Sequence, residues 1–117
     1  MYPLGTRVGA FMAIGNLVVE FLGYGTYEGD FVPDADAGYL AADCREAKAR
    51  NPRIRLDNGD VVWGGECWWG PEESFRKNME EYKAMGYEIK EVRIADLREE
   101  ERKALAERAG EDKNAVT

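Results

Sequence analysis

Two arginines one helical turn apart are the side chains of this 117-residue sequence whose type and spacing suit the binding of an anion. A guanidinium group presents a planar set of N–H donors that pairs with carboxylate or phosphate oxygens in a bidentate way. Arg98 lies within the apolar arc that Leu97 and Leu105 define on the last predicted helix, and Arg102 lies at the edge of that arc. A guanidinium among apolar groups requires a partner. That partner is either a carboxylate of the protein body, which makes a structural salt bridge, or a phosphate of a ligand.

Aromatic side chains cluster in the middle of the sequence. All three tryptophans, Trp63, Trp68 and Trp69, fall within seven residues, and Phe75 follows closely. Because successive side chains on a strand point to opposite faces, Trp68 and Trp69 cannot both lie in the core of one small domain. The outward ring either completes a subunit contact or stacks on a nucleotide base, which contributes about 1–3 kcal/mol per base.

A basic segment lies within a chain that is acidic overall. Residues 45–55 contain five bases, including Arg50, and one acid, whereas residues 1–44 contain one base and six acids. A compact basic patch on an acidic body favours one small anion over a long polyanion. The other interpretation is a solvated helix face whose charges form salt bridges within the protein.

The missing residue types exclude several kinds of catalysis. The chain has no histidine, a single serine and two distant cysteines, so histidine-based triads and histidine metal sites are absent. A cleaving enzyme would have to use carboxylates such as Glu66, Glu72 and Glu73, and the last two are better explained as acids at a helix start. We therefore expect a binding protein that is not an enzyme and that uses no metal or cofactor.

Length and composition predict a single domain over residues 1–117. Acids outnumber bases 23 to 16, which gives a net charge of −7 and disfavours binding of long nucleic acid. No apolar run approaches the roughly 18 residues of a membrane span. The first residues lack the basic start and apolar core of a secretion signal, so we expect none.

The pattern of apolar residues and turns predicts an α+β fold, with a small curved antiparallel sheet, two or three helices and dimer formation. Gly15-Asn16 and Asn58-Gly59 predict two tight hairpins, and the glycines of residues 23–30 predict a bent strand. The predicted helices cover residues 37–49, a segment that starts at Gly70-Pro71 and ends at Gly86, and a segment from a cap at Asp96 to about Ala109. The helical spacing of Phe75, Met79, Tyr82 and Met85 predicts the buried face of the second helix. Residues 110–117 read as a polar, frayed tail.

Several strings of the sequence resemble the type-one Thoeris anti-defence proteins of phages. They are Gly5–Val8, Leu22–Asp30 with Val32-Pro33, Asn51–Ile54 and Leu56–Gly70. The resemblance spans about residues 5 to 105. It implies a protein that binds a cyclic ADP-ribose isomer made by bacterial TIR-domain proteins, glycocyclic ADP-ribose, without degrading it. The Thoeris effector then stays inactive in the cytoplasm of the infected bacterial host.

The resemblance also implies a site. In this family the pocket forms at a dimer interface, with an aromatic ring against adenine and arginines against the pyrophosphate. It assigns stacking to Phe75 and the phosphate contacts to Arg102 and Arg98, with Arg50 as a further candidate. Trp68 and Trp69 join this candidate site from the aromatic cluster. Some members form hexamers that hold cyclic trinucleotides at separate sites. The alternative function is a phage inhibitor that binds a host defence protein directly.

Overall fold

Six strands and three helices form within residues 2–34 and 37–116, which are the residues that this computed structural model describes; the side chains of residues 39 and 109–116 lie outside that description. The elements in chain order are β1 (Arg7–Gly15), β2 (Val18–Phe31), α1 (Tyr39–Ala47), β3 (Asn51–Leu56), β4 (Val61–Trp63), β5 (Trp68–Pro71), α2 (Glu72–Ala84), β6 (Glu88–Glu91) and α3 (Ile94–Val116). The α+β fold expected from the sequence is confirmed.

The sheet is open, and the long strand β2 lies at its centre. The strand order is β4-β3-β2-β1-β5, and β6 pairs with the first residues of β2. Five strands pair antiparallel as predicted, whereas β6 runs parallel to β2, with Val18 opposite Glu88. Register shifts in the β1–β2 ladder and between Tyr27 and Gly29 mark bulges, which bend a sheet and increase its twist.

Both predicted hairpins are present, the first with its turn one residue later than expected. Asn16 and Leu17 form the turn and have φ angles of 52° and 62°. A two-residue turn with positive φ at both positions matches the right-handed twist of the paired strands, so the ladder extends to Gly15 itself. In the second hairpin the side chain of Asn58 accepts a hydrogen bond from the Asp60 N–H, and Gly59 has φ of 95°.

The helices match the predicted positions with corrected ends. α1 ends at Ala47 because Lys48 adopts a left-handed conformation with φ of 53°, and Asn51 and Pro52 are already part of β3. α2 buries Phe75 and Met79 as expected. Met85 was expected on the same face, but it follows the last helical turn and is exposed.

The last helix differs most from the expectation. It starts at Ile94, two residues before the expected cap at Asp96, and its backbone continues to Val116, through most of the segment that was expected to be a tail. Ile94 is buried, Leu97 and Leu105 of its apolar arc are half-buried, and Ala104 is exposed. Among the described residues, no helix is both long and apolar enough to cross a membrane.

The sheet and helices enclose distinct apolar clusters. One is centred on the sheet with Val8, Leu22, Ile54 and Val62, and Ile94 and Leu97 of α3 pack against it. A second joins α2 to the sheet through Phe75 and Met79. A third holds α1 against the buried Trp63. The loop of residues 64–67 therefore emerges close to the starts of both α1 and α3.

Candidate functional site

Arg98 is held by the protein's own carboxylate. Its Nη2 lies 2.6 Å from Glu66 Oε1, and its Nε lies 2.9 Å from Glu66 Oε2. Nη2 also donates to the Val61 carbonyl at 3.1 Å. The side chains are only 15% and 8% exposed. The sequence allowed either a protein carboxylate or a ligand phosphate as the partner of Arg98, and in the structure the partner is the Glu66 carboxylate. This ion pair holds the start of α3 against the loop before β5.

Arg102 is in a different environment from Arg98. Its side chain is 73% exposed, and its Nη1 lies 3.4 Å from Glu99 Oε2 in an i,i+3 pair on the same helix. Exposed pairs of this kind contribute little to stability, so this guanidinium can exchange its partner at small cost. The two arginines therefore do not form one ready-made clamp in the single chain. One anchors a helix, and the other faces solvent.

A cavity of about 320 Å³ lies beside Arg98, between α1, α3 and the loop of residues 64–66. Met12, Leu40 and Leu97 supply apolar surface to its wall. Its charged lining comprises Asp43, Glu66, Glu101 and Arg98, which is three acids against one base. Sequence reasoning considered Glu66 only as a possible catalytic acid and did not consider Met12, Asp43 or Glu101 at all.

A second cavity of about 480 Å³ continues from the first. Both are lined by Met12, Gly65 and Glu66, and the second extends over Trp68 and Trp69. We call the two together the Trp68–Arg98 groove. Each lies within the size range of small-molecule sites, about 300–1,000 Å³. The groove thus has an aromatic end and a charged end.

The two glycines before Glu66 allow the loop to lie close to the body. A Cβ at Gly65 would lie 2.8 Å from Leu40 Cδ1, and one at Gly64 would lie 2.8 Å from Trp69 Nε1. A side chain at either position would therefore displace a wall of the groove. The adjacent Gly-Gly pair was the available sequence signal for this close approach, although it did not identify the neighbours.

The adjacent tryptophans face opposite sides of β5, as the strand period predicts. Trp69 stacks on Tyr27 with 5.6 Å between ring centroids and contacts the edge of Tyr2. Trp68 is 68% exposed, while the third tryptophan, Trp63, is buried. Trp68 is therefore the tryptophan whose ring faces are available to a ligand or a partner.

Phe75 is a core side chain in this single chain. It is 8% exposed and packs against Phe11 with 5.6 Å between ring centroids. Gly9 and Gly70, which pair across β1 and β5, form the slot for its ring: a Cβ at Gly9 would lie 2.7 Å from Phe75 Cδ2. The stacking role that the resemblance gives to Phe75 is thus not accessible here, since no open face of the ring remains for a base.

Three arginines of the basic segment have partners within the protein. Arg53 and Arg55 both donate to Glu28, at 3.0 and 3.1 Å, and Arg53 also lies over the ring of Phe31. Arg45 donates to the Ala41 carbonyl. Arg50 is exposed and is the arginine of this segment that remains a candidate for an external anion. It does not line the Trp68–Arg98 groove.

The groove contains one thiol, that of Cys67, whose pKa is raised. Burial raises the pKa of Cys67 to about 12, and the neighbouring Glu66 carboxylate adds to the rise. The reactive thiolate is therefore scarce at neutral pH. Among the described side chains, no group of three or more carboxylates and thiols is placed to hold a metal ion.

Comparison of the chain with family models, with curated proteins and with solved structures gave no match. The family resemblance therefore rests on the sequence strings quoted above.

Proposed function

We propose that the protein sequesters a small cyclic nucleotide of the ADP-ribose type, the TIR-made glycocyclic ADP-ribose, without breaking any of its bonds. Its action in the cytoplasm of an infected bacterial host would keep the signal from the Thoeris effector. The proposal is supported by the resemblance and by one structural observation above others. Trp68, whose side chain is 68% exposed, and Arg98 are both among the residues that line the Trp68–Arg98 groove.

The ends of the groove suit the two ends of such a ligand. Adenine stacks on Trp68, which replaces Phe75 in that role because Phe75 is buried. The pyrophosphate points toward α3, where Arg98 lines the groove and Arg102 lies one turn further along the helix. Guanidinium–phosphate pairs are charge-assisted and can be bidentate, which makes them stronger than neutral hydrogen bonds. Trp69 supports the site indirectly by fixing β5 on Tyr27.

A second copy of the chain completes the site in this proposal. A stoichiometric sink needs a Kd near 1 nM, about −12.3 kcal/mol, and one stacked base with a few ion pairs does not reach that value in an open groove. Two observations favour a further protein surface over the groove. Trp68 is exposed, and Ala104 in the apolar arc of α3 is exposed as well.

Calorimetry against a panel of nucleotides tests the proposal. The panel contains the TIR-made isomer, linear ADP-ribose, NAD and a cyclic trinucleotide, each titrated into the full chain. We expect tight binding of the cyclic ADP-ribose isomer with one ligand per site, and weaker binding of the linear forms. No heat with any member would reject sequestration at this groove. A stable host protein recovered in a pull-down without nucleotide would instead favour the direct inhibitor, which would use Trp68 as an interface residue.

A further inference from the structure

The Glu66–Arg98 ion pair lies at the charged end of the groove, and it uses two donors of the guanidinium. The carboxylate of Glu66 takes up the Nε and Nη2 donors of Arg98, at 2.9 and 2.6 Å. This is one of the two donor edges through which a guanidinium pairs with a phosphate, and Nη2, which belongs to both edges, also donates to the Val61 carbonyl. An anionic ligand at this end therefore meets an arginine that already holds an anion.

The other charged residues of the cavity lining disfavour an anion that binds beside an intact Glu66–Arg98 pair. Asp43 and Glu101 line the same cavity, so a phosphate that left the Glu66–Arg98 pair intact would lie among three carboxylates with one neutralised base. Like charges in such a site repel, and the partly buried setting weakens the screening by solvent. An anion gains at this end only by taking Arg98 away from Glu66.

Glu66 accepts a hydrogen bond from a second group besides Arg98, so Arg98 can leave Glu66 for a ligand without leaving the carboxylate unpartnered. Its Oε1 accepts a hydrogen bond from the Trp63 N–H at 3.2 Å, within the turn closed by the Glu66 N–H and the Trp63 carbonyl. The carboxylate therefore keeps one partner when Arg98 turns to the ligand. We propose that Glu66 is an internal competitor for Arg98 and determines how strongly the groove selects for the ligand's anionic group. This inference rests on the proposed function.

Calorimetry on matched variants tests the proposal. Glu66→Gln keeps one acceptor oxygen for the Trp63 N–H but loses the negative charge and one of the two acceptors that hold Arg98, so the affinity for the cyclic ADP-ribose isomer rises about tenfold. Glu101→Gln removes the same charge from the same cavity without releasing Arg98, and it gives a gain below about threefold. Adenosine, which has the base but no phosphate, binds Glu66→Gln and wild type alike.

The outcomes separate this inference from the proposed function. Equal gains in the two variants, or an unchanged or lower affinity in Glu66→Gln while wild type binds, would overturn the role of Glu66 and leave sequestration standing. No binding by wild type or by either variant would reject both.

A measurement on the wild-type chain covers the case in which Glu66→Gln does not fold. The Nε–H resonance of Arg98, assigned by its loss in Arg98→Lys, shifts when the isomer saturates the protein. If the resonance does not shift when the isomer saturates the protein, Arg98 has not left Glu66 for the ligand, and the proposed role of Glu66 is wrong.

Discussion

The rings of Tyr27 and Trp69 lie face to face, with 5.6 Å between their centroids and 17° between their planes. This contact joins the central strand β2 to the edge strand β5 on one face of the sheet. The preceding residue, Trp68, consequently points to the other side of the strand and is 68% exposed. We therefore expect Trp69 to contribute to stability and Trp68 to the proposed binding.

Alanine substitutions at these two positions separate the roles. Trp68→Ala changes the free energy of unfolding by less than about 0.5 kcal/mol, since an exposed side chain loses few contacts. It weakens binding of the cyclic ADP-ribose isomer by about 1–3 kcal/mol, the contribution of one stacked base. Trp69→Ala, the matched control, destabilises the fold by about 3 kcal/mol. Urea unfolding and calorimetry measure the two effects, and unchanged affinity in Trp68→Ala would remove this ring from the site.

The two arginines of α3 give a second matched pair. Arg98→Ala leaves Glu66 without its buried partner and lowers the free energy of unfolding by about 3–5 kcal/mol. Arg102→Ala removes one exposed i,i+3 pair, so the melting temperature stays nearly constant while ligand affinity is lost. Thermal melting and calorimetry on both variants distinguish these effects. A melting temperature that falls equally in the two variants would show that Arg102 is also structural.

The slot for Phe75 predicts a strong difference between two glycines of β1. Gly9→Ala places a Cβ 2.7 Å from the Phe75 ring, and overpacking of this kind costs about 1–3 kcal/mol. Gly15→Ala is the control, because no atom lies within 4 Å of its Cβ position and its φ is not positive. Urea unfolding compares the two variants. Equal stability of Gly9→Ala and Gly15→Ala would mean that Phe75 is not held in this slot.

Acid should weaken the fold through its paired carboxylates. Arg93 donates two hydrogen bonds of 2.7 Å to Asp60 and holds the pKa of that carboxyl below its ordinary value of 3.8. A depressed pKa in the folded state stabilises the fold above the ordinary pKa, and this stabilisation is lost as the pH falls through the folded value. Arg7 lowers the pKa values of Asp57 and Glu72 in the same sense.

The corresponding variant is Asp60→Asn. We expect wild type to be the more stable protein at pH 6. The difference should shrink once the pH falls below the ordinary pKa of 3.8, and it should be lost as the pH falls through the lowered pKa of folded Asp60, because that carboxyl then becomes protonated. Urea unfolding across this range measures the difference. A gap that stays constant with pH would show that the Arg93–Asp60 pair does not contribute through its charge.

Local signals in the sequence predicted most of the fold. Turn residues such as Asn58-Gly59, the strand period at Trp68 and Trp69, and the helical spacing of Phe75 and Met79 each act over a few neighbouring residues. The parallel pairing of β6 with β2 and the late end of α3 were missed. Strand pairing depends on contacts between distant segments. Gly110 follows Ala109 and suggested a helix end there, but α3 continues through it to Val116.

The site was only partly predictable for the same reason. The need of Arg98 for a partner followed from its place in an apolar arc, but the choice of Glu66 required knowing that the loop after β4 lies against α3. The burial of Phe75 depends on Gly9, which lies 66 positions earlier in the chain. The pairing of Arg53 and Arg55 with Glu28 likewise follows from strand register, which the charge count of the basic segment could not reveal.

Recovery of the ligand after denaturation tests the central claim most directly. The protein is mixed with the TIR-made cyclic ADP-ribose isomer, free ligand is removed by filtration, and the retained protein is denatured by heat. We expect the solution to lose one ligand per site and the heated sample to release the isomer chemically intact. A hydrolysed product, or a filtrate that still contains all of the isomer, would contradict sequestration by this protein.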